Sequence, residues 1–408
     1  ALGNVRSGFI DKRRKAVDHL PEFDHLIISI RRQSDPRACY LEEFEEGPHR
    51  RVVAIGYWAP PGGLLHRWRM SALAEQIERL LHKLDRRPAM VTAHKLTIEG
   101  LVAYRLWQRL GLPYVCCVRG EVEDKFFRFK PEMRWLFGKV IAQAEALYFV
   151  SAWFRPHIKK RYPGRIRASG LLPNFVPDRP APSDEDPADP NSLVSVMDLN
   201  VYRRKGLPDL LQGLALARQR NPALRLDVIG WTSPALNAEV TALAARAGVG
   251  SAVRFLGYMA NADVVRALPS YAGFALPAHR ETFGMAYVEA LLAGVPILYG
   301  RGAGVDGYLD GLDVGIAVPL GVVAALADGL LRLVERGPEL RRTIRAEHGE
   351  LRRRFALDQH LDHYRGQVHR LASRSLGPSG AVREAPLAPS LAAPGRSAAI
   401  ETLRIERP

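Results

Sequence analysis

The chain has 408 residues, of which 47% are hydrophobic and 25% charged, enough apolar material for two ordinary cores. A formal net charge of +15 invites a nucleic-acid partner, but no zinc-finger spacing or RNA-recognition motif accompanies it, so nucleic-acid binding is set aside. No segment approaches the ~20 apolar residues of a membrane span, and three cysteines, Cys39 and the adjacent Cys116 and Cys117, make no disulfide framework and suit a reducing cytoplasm.

The chain opens without Met at Ala1-Leu-Gly3-Asn4-Val-Arg6-Ser7-Gly8, a stretch that reads as the loop after a first strand and leads us to expect a shortened N-terminus. Strands are then predicted at Asp24–Ile30, Val52–Gly56, Pro88–Ala93, Pro113–Val118 and Ala146–Ser151, separated by helices. His94 and Lys95 follow the third of these and precede a helix starting near Ile98. Arg119-Gly120-Glu121-Val-Glu123-Asp124 follows the fourth. Arginine cannot act as a base at neutral pH but holds phosphate well. Arg119 is therefore a positioning candidate, with Glu121, Glu123 and Asp124 as candidates for binding ligand hydroxyls.

Residues 1 to 180 carry 32 Lys and Arg against 19 Asp and Glu, so most of the excess charge lies in this half and would attract an anionic surface or acceptor. Bases alternate with aromatics in Lys125–Phe137 and again from Trp153 to Arg161, a pattern that suits the cytoplasmic face of a membrane. Asp178–Pro190 is rich in proline and acids, so the domain boundary is placed there: 1–178 as the first domain, 179–191 as linker and 192–356 as the second domain.

The second domain alternates again. Asn191–Met197 reads as a strand, then comes the loop Arg203-Arg204-Lys205-Gly206 and a helix from about Pro208 to Arg220. A lysine just before a helix start can set its ammonium beside a phosphate. Leu224–Gly230 and Val253–Tyr258 are further strands, and a short helix at Ala262–Leu268 leads to the apolar run Phe274–Pro277. There follows Glu281-Thr-Phe283-Gly284-Met285-Ala-Tyr-Val-Glu289, helical from about Gly284 to Ala293, then Gly294-Val-Pro296. The turn at Glu281–Gly284 thus falls at the carboxyl edge of a sheet, where ligands bind and where the N–H groups of a helix start attract phosphate. Gly284 would admit a diphosphate close to the backbone, and Glu281 and Glu289, about two turns apart, could serve opposite ends of one ligand. Pro296–Tyr299 leads into a glycine-dense loop, Gly300–Gly307, that contains Asp306. Helices are predicted at Val322–Arg336, Pro338–Phe355 and 357–372, and the Ala/Pro/Gly/Ser-rich tail 373–408 is expected to be disordered.

From roughly Ser192 to Phe355 the pattern of Glu281, seven residues, Glu289 resembles the GT4-type family of GT-B retaining glycosyltransferases. The resemblance implies an α/β protein of two Rossmann-like, doubly wound domains facing across a cleft, with residues 357–372 packing back on the first. It also implies transfer of a sugar from a nucleotide sugar, UDP- or GDP-linked, to an acceptor hydroxyl with retention and without a bound metal ion. On it Glu281, Lys205 and Arg119 would be catalytic. Glu289, Phe283, Gly284, Met285, Arg204, Gly230 and Asp306 would bind the donor, and Gly3, Asn4, His94 and Glu121 would border the acceptor. The implied setting is cytoplasmic, at the inner membrane face, with a lipid-linked saccharide acceptor of bacterial envelope or exopolysaccharide synthesis. The chain departs from the pattern at Asn200, where an arginine is common, at Trp231 and Thr232, where a second glycine two residues after Gly230 is common, and at Asp306, where glutamate is frequent. The alternatives are a nucleotide-sugar epimerase of the same fold or an inactive nucleotide-sugar-binding homologue.

Overall fold

The computed structural model describes residues 20–45, 50–60, 63–176, 182, 187, 189–375 and 399–406. They divide into two compact units. Unit 1 comprises the described residues up to Phe149, His157–Leu172, and those from Asp358 on; unit 2 comprises Val150–Pro156 and the described residues from Pro173 to Leu357.

The strands of unit 1 are β1 (Asp24–Gln33), β2 (Tyr40–Glu45), β3 (Arg50–Trp58), β4 (Pro88–Ala93), β5 (Tyr114–Val118), β6 (Ala146–Phe149) and β7 (Ser169–Leu171). Those of unit 2 are β8 (Asp189–Val196), β9 (Arg225–Ile229), β10 (Val253–Gly257), β11 (Tyr271–Leu276), β12 (Ile297–Gly300) and β13 (Gly315–Val318), and β14 (Ala399–Glu406) returns to unit 1.

In unit 2 the sheet order is β10-β9-β8-β11-β12-β13 with every neighbour parallel. Numbered from β8, this is the order 3-2-1-4-5-6 of a doubly wound dinucleotide fold, whose direction reverses between β8 and β11. Loops leaving the carboxyl ends of those two strands diverge to opposite faces and open a crevice. The strands are short apolar runs because helices cover both faces. Phe274, Ala275 and Leu276 of β11 and Ile297 and Leu298 of β12 are fully buried. Close packing of the cover requires glycine at two helical positions: a side-chain carbon on Gly213 would crowd Leu326, and one on Gly329 would crowd Val318 and Leu298.

Unit 1 has the order β2-β3-β1-β14-β4-β5-β6-β7, parallel throughout except for the β2–β3 hairpin edge. β5, Tyr-Val-Cys-Cys-Val, is buried along its whole length. Helix His66–Lys83 turns Met70, Leu73, Ala74, Ile77, Leu80 and Leu81 inward at helical spacing. All three cysteines are free, and burial pushes the Cys116 thiol up, away from thiolate chemistry. No described helix is long and apolar enough to cross a membrane.

Three expectations are corrected. Helix Pro338–Phe355 is two helices, Gly337–Ala346 and His348–Phe355, parted at Glu347. The last helix, Leu357–Ser375, runs beyond its expected end at 372; it lies in unit 1, where Phe23 meets the rings of Tyr364 and His369. Above all, the tail expected to be disordered from 373 ends in β14, a strand paired in parallel with β1 on one side and β4 on the other. Averaging over an Ala/Pro/Gly/Ser-rich stretch hid Ile400, Thr402, Leu403 and Ile405, β-branched or apolar residues that favour a strand. With β14 counted as position one, unit 1 repeats the 3-2-1-4-5-6 order of unit 2. Residues 1–19, including Gly3 and Asn4, and most of the linker lie outside the described residues.

Candidate functional site

The crevice at the switch point of unit 2 is built from the loops after β8 and β11, and the two loops are held together by their backbones. The His279 N–H donates to the Arg204 carbonyl at 3.0 Å. Gly206 has φ 77° and packs against the Pro277 carbonyl, where any side chain would collide. This contact delivers Lys205 to Glu281. The Lys205 ammonium donates to the Glu281 carboxylate in a short ion pair between two largely covered side chains. The second Glu281 oxygen accepts the Thr282 N–H at 3.1 Å, and the Glu281 carbonyl accepts the Gly304 N–H at 2.9 Å, so the glutamate is fixed at both ends.

Helix Met285–Leu292 begins immediately after this pair. Its cap, Gly284, has φ 77°, and a side-chain carbon there would strike the Tyr287 ring. Tyr287 is buried against Phe274 and gives its hydroxyl proton to the Leu276 carbonyl, closing the turn from beneath. Burial, with Glu281 adding to it, pushes the Tyr287 phenol far above its ordinary range, so the ring serves as neutral packing. The backbone amides of Met285 and Ala286 form the first turn, the positive end of the helix dipole. Glu289 lies about one turn along, buried, and accepts from the Asn261 side-chain amide at 3.1 Å. Phe283 is not a ligand-facing ring: its side chain is buried against Tyr308 and Phe355, which anchors the loop.

The remaining donor-side residues have visible tasks. Gly230 ends β9 so close to the Met197 carbonyl that no side chain fits. Asp306 accepts the Gly302 N–H at 2.6 Å and folds its own glycine-rich loop. Asn200 sits in a tight turn with its amide on Asp198 at 2.9 Å. Of the neighbouring cations, Arg203 is directed to Glu239 at 3.2 Å and lies over Tyr202, while Arg204 is exposed and contributes its carbonyl to the loop contact. Trp231, at the end of β9, is exposed.

In unit 1 the structure gathers His94, Arg119 and Glu121 at the carboxyl ends of β4 and β5. The Arg119 Nε donates to the His94 carbonyl at 3.1 Å. Glu123, expected as a hydroxyl-binding candidate, is instead fully buried and accepts the N–H groups of Leu96 at 3.2 Å and Arg119 at 3.1 Å. Burial raises its carboxyl above the ordinary range, opposed by those backbone donors and by the Arg119 charge. Glu99, also buried, accepts the His94 N–H. Sequence reasoning missed the use of both carboxylates as ties for loops; a glutamate within a few residues of a strand end and opening a helix was the available signal. It also missed Asn261, Tyr287, and Ser151, whose hydroxyl donates to the Thr282 carbonyl at 2.5 Å.

The family described as glycosyl transferases group 1 matches residues 182–348, which contain every element of the Lys205–Glu281 crevice. Over that stretch, about two fifths of its length, the chain is similar to this family. A D-inositol 3-phosphate glycosyltransferase of Saccharomonospora viridis is 30% identical over 170 residues, covering 39% of this chain and 39% of that protein. An uncharacterized glycosyltransferase of Bacillus subtilis is 28% identical over 233 residues, 55% of this chain and 62% of that one. The matches thus span between two fifths and about three fifths of those relatives. Among solved structures, a sucrose-phosphate synthase from Thermosynechococcus elongatus shares 16% identity with a TM-score of 0.64, covering 85% of this chain and 98% of its own. Anabaena HepE in complex with UDP and glucose shares 16% identity with a TM-score of 0.57, covering 84% and 99%. These likenesses show the GT-B fold.

Proposed function

We propose that this chain is a retaining glycosyltransferase of group 1 that moves a sugar from a nucleoside diphosphate sugar to an acceptor hydroxyl. The observation that carries the proposal is the Lys205–Glu281 pair at the switch point of unit 2, set against the amide-rich start of helix Met285–Leu292. In the crevice a donor diphosphate would lie on the amides of Met285 and Ala286, with Lys205 as counter-charge and Gly284 admitting it to the backbone. The leaving diphosphate gains negative charge in the transition state, and prepositioned positive groups lower that barrier without reorganising. Glu289, held by Asn261, would receive the ribose hydroxyls, and Glu281 the donor sugar.

A UDP-sugar is the favoured donor, since HepE was solved with UDP and glucose and a trehalose-6-phosphate structure from E. coli holds UDP-2-fluoro glucose. The transfer is assigned no bound divalent cation. The acceptor is assigned to a lipid-linked saccharide of envelope or exopolysaccharide synthesis, met at the inner face of the membrane by a cytoplasmic enzyme. The excess of bases in the first 180 residues supports an anionic acceptor.

A thermal-shift panel of UDP, GDP, ADP and their sugar conjugates, with and without EDTA, tests the donor site on wild type and Glu289→Ala. At a ligand concentration a hundredfold above Kd, stabilisation of roughly 2.7 kcal/mol is expected. It should appear for one nucleotide class, survive EDTA and vanish in the variant. A well-folded wild-type sample that no nucleotide stabilises would overturn the proposal.

A further inference from the structure

We propose that one face of unit 1, formed by Leu64, Leu65, Trp68, Phe129 and Trp135, docks onto an anionic lipid bilayer. The inference deepens the lipid-linked acceptor proposed above by naming the surface that would meet the lipid.

Five large apolar side chains face water here: Leu64 is 61% exposed, Leu65 55%, Trp68 72%, Phe129 70% and Trp135 52%. They come from two segments that are distant in sequence and adjacent in space. The His66 ring lies 4.9 Å from that of Phe126, and Arg67 stands over the Trp135 ring at 5.9 Å while Lys139 stands over the same ring at 4.7 Å. Neither segment is short of inward-facing residues, since Met70, Phe127, Met133, Leu136 and Phe137 are buried. The exposed set is therefore a second face rather than a failed core.

Backbone conformation supports the same conclusion. Leu65 caps helix His66–Lys83 with φ 58°, a left-handed conformation that a bulky side chain rarely adopts. A turn needed only to start the helix would use glycine or asparagine at lower cost. Here the strained turn holds two leucines outward, the kind of outlier that accompanies a functional surface.

Charge selects the occupant. Residues 63–69 and 124–139 carry seven Lys and Arg against two Asp and Glu. Two such faces repel one another, which disfavours a second copy of the chain, whereas anionic headgroups attract the bases and admit the tryptophans at the interface. Placement suits the chemistry as well. The His66 Nε2 and the Thr97 carbonyl lie 2.8 Å apart, so the patch adjoins the loop after β4, beside His94 and Arg119. A lipid-linked acceptor resting in the bilayer would present its headgroup at that edge.

Cosedimentation tests the proposal with vesicles of phosphatidylcholine alone and of phosphatidylcholine with phosphatidylglycerol. Wild type should pellet with the anionic vesicles and remain in solution with the neutral ones. Trp68→Ser, Phe129→Ser and Trp135→Ser combined should weaken partitioning by about tenfold or more, and Arg67→Glu with Lys130→Glu by a similar factor that shrinks in high salt. All variants should keep the wild-type melting temperature and its nucleotide shift, so a loss of vesicle binding is separable from a failed donor site. Wild type that ignores anionic vesicles, or an aromatic variant that binds them as wild type does, overturns the inference. So does a wild-type dimer that the same aromatic substitutions dissolve.

Discussion

Lys205 and Glu281 are each other's partner in a largely covered site, so their separate removal has two consequences that can be measured apart. On the proposed function, Lys205→Ala takes away the charge that would meet the leaving diphosphate, and kcat should fall by roughly 10²–10³-fold. Either single alanine strands a covered charge and should cost about 1–3 kcal/mol in urea unfolding, while the double variant should cost less than the sum of the two. Additive losses would show that the pair is not a unit. Glu123 gives a prediction of the opposite electrostatic kind. Its folded-state carboxyl is raised by burial, so the native state holds a proton that the unfolded chain releases, and this contribution to stability is present at low pH and lost as pH rises. The window opens at the ordinary glutamate value of about 4.3 and extends upward to the raised one. Glu123→Gln cannot titrate, so its stability should decline less than wild type across that window, although one of the two amides Glu123 accepts loses its partner. Parallel urea titrations at several pH values decide it. Residue placement was legible in the sequence where a motif carries it, as for Lys205 and Glu281, which the structure sets together in one crevice. It was not legible for Glu123, because a carboxylate that ties two loops and one that greets a hydroxyl look alike until burial is known.

At the scale of elements, β8 to β12 of unit 2 were readable because each is a short apolar run whose signal is local, whereas β13, which follows β12 with no helix between, was not predicted and Val150–Pro156 joins the unit from beyond the unit 1 segment His157–Leu172. The sheet of unit 1 departs from that rule at its centre. β14 lies between β1 and β4, with Leu403 opposite Ile28 on one side and Ala93 on the other. No local pattern reveals that a strand nearly 400 residues along completes a sheet begun at residue 24; contacts of that separation are the ones sequence periodicity leaves out. The placement has a direct consequence, since a central parallel strand supplies hydrogen bonds to both neighbours and leaves two bare edges when removed. Leu403→Pro deletes one ladder N–H in that position and should destabilise unit 1 by about 3 kcal/mol or more, measured by thermal unfolding. Leu403→Val, which keeps the backbone donor, should stay close to wild type. Equal stability of the proline variant would show that β14 is dispensable to the sheet.

For the molecule as a whole, the informative quantity is how charge is shared between its two halves. Thirteen of the fifteen excess positive charges fall in the first 180 residues, leaving the half that carries the Lys205–Glu281 crevice almost neutral. An anionic acceptor would therefore be steered by many bases at long range, whereas a donor diphosphate would be held by one lysine and a helix start at short range. Those two kinds of attraction answer differently to salt. The Debye length shrinks from about 10 Å at 0.1 M to about 3 Å at 1 M, which screens long-range steering while sparing a covered contact. With an anionic acceptor, KM should rise severalfold as salt is increased through that range, and the KM for the nucleotide sugar should change much less. A neutral acceptor analogue should lose most of the salt effect. If both KM values climbed together, the asymmetry of charge would be serving solubility or general adhesion, and acceptor choice would rest on contacts at the carboxyl edge of the unit 1 sheet, where His94 and Arg119 are already joined.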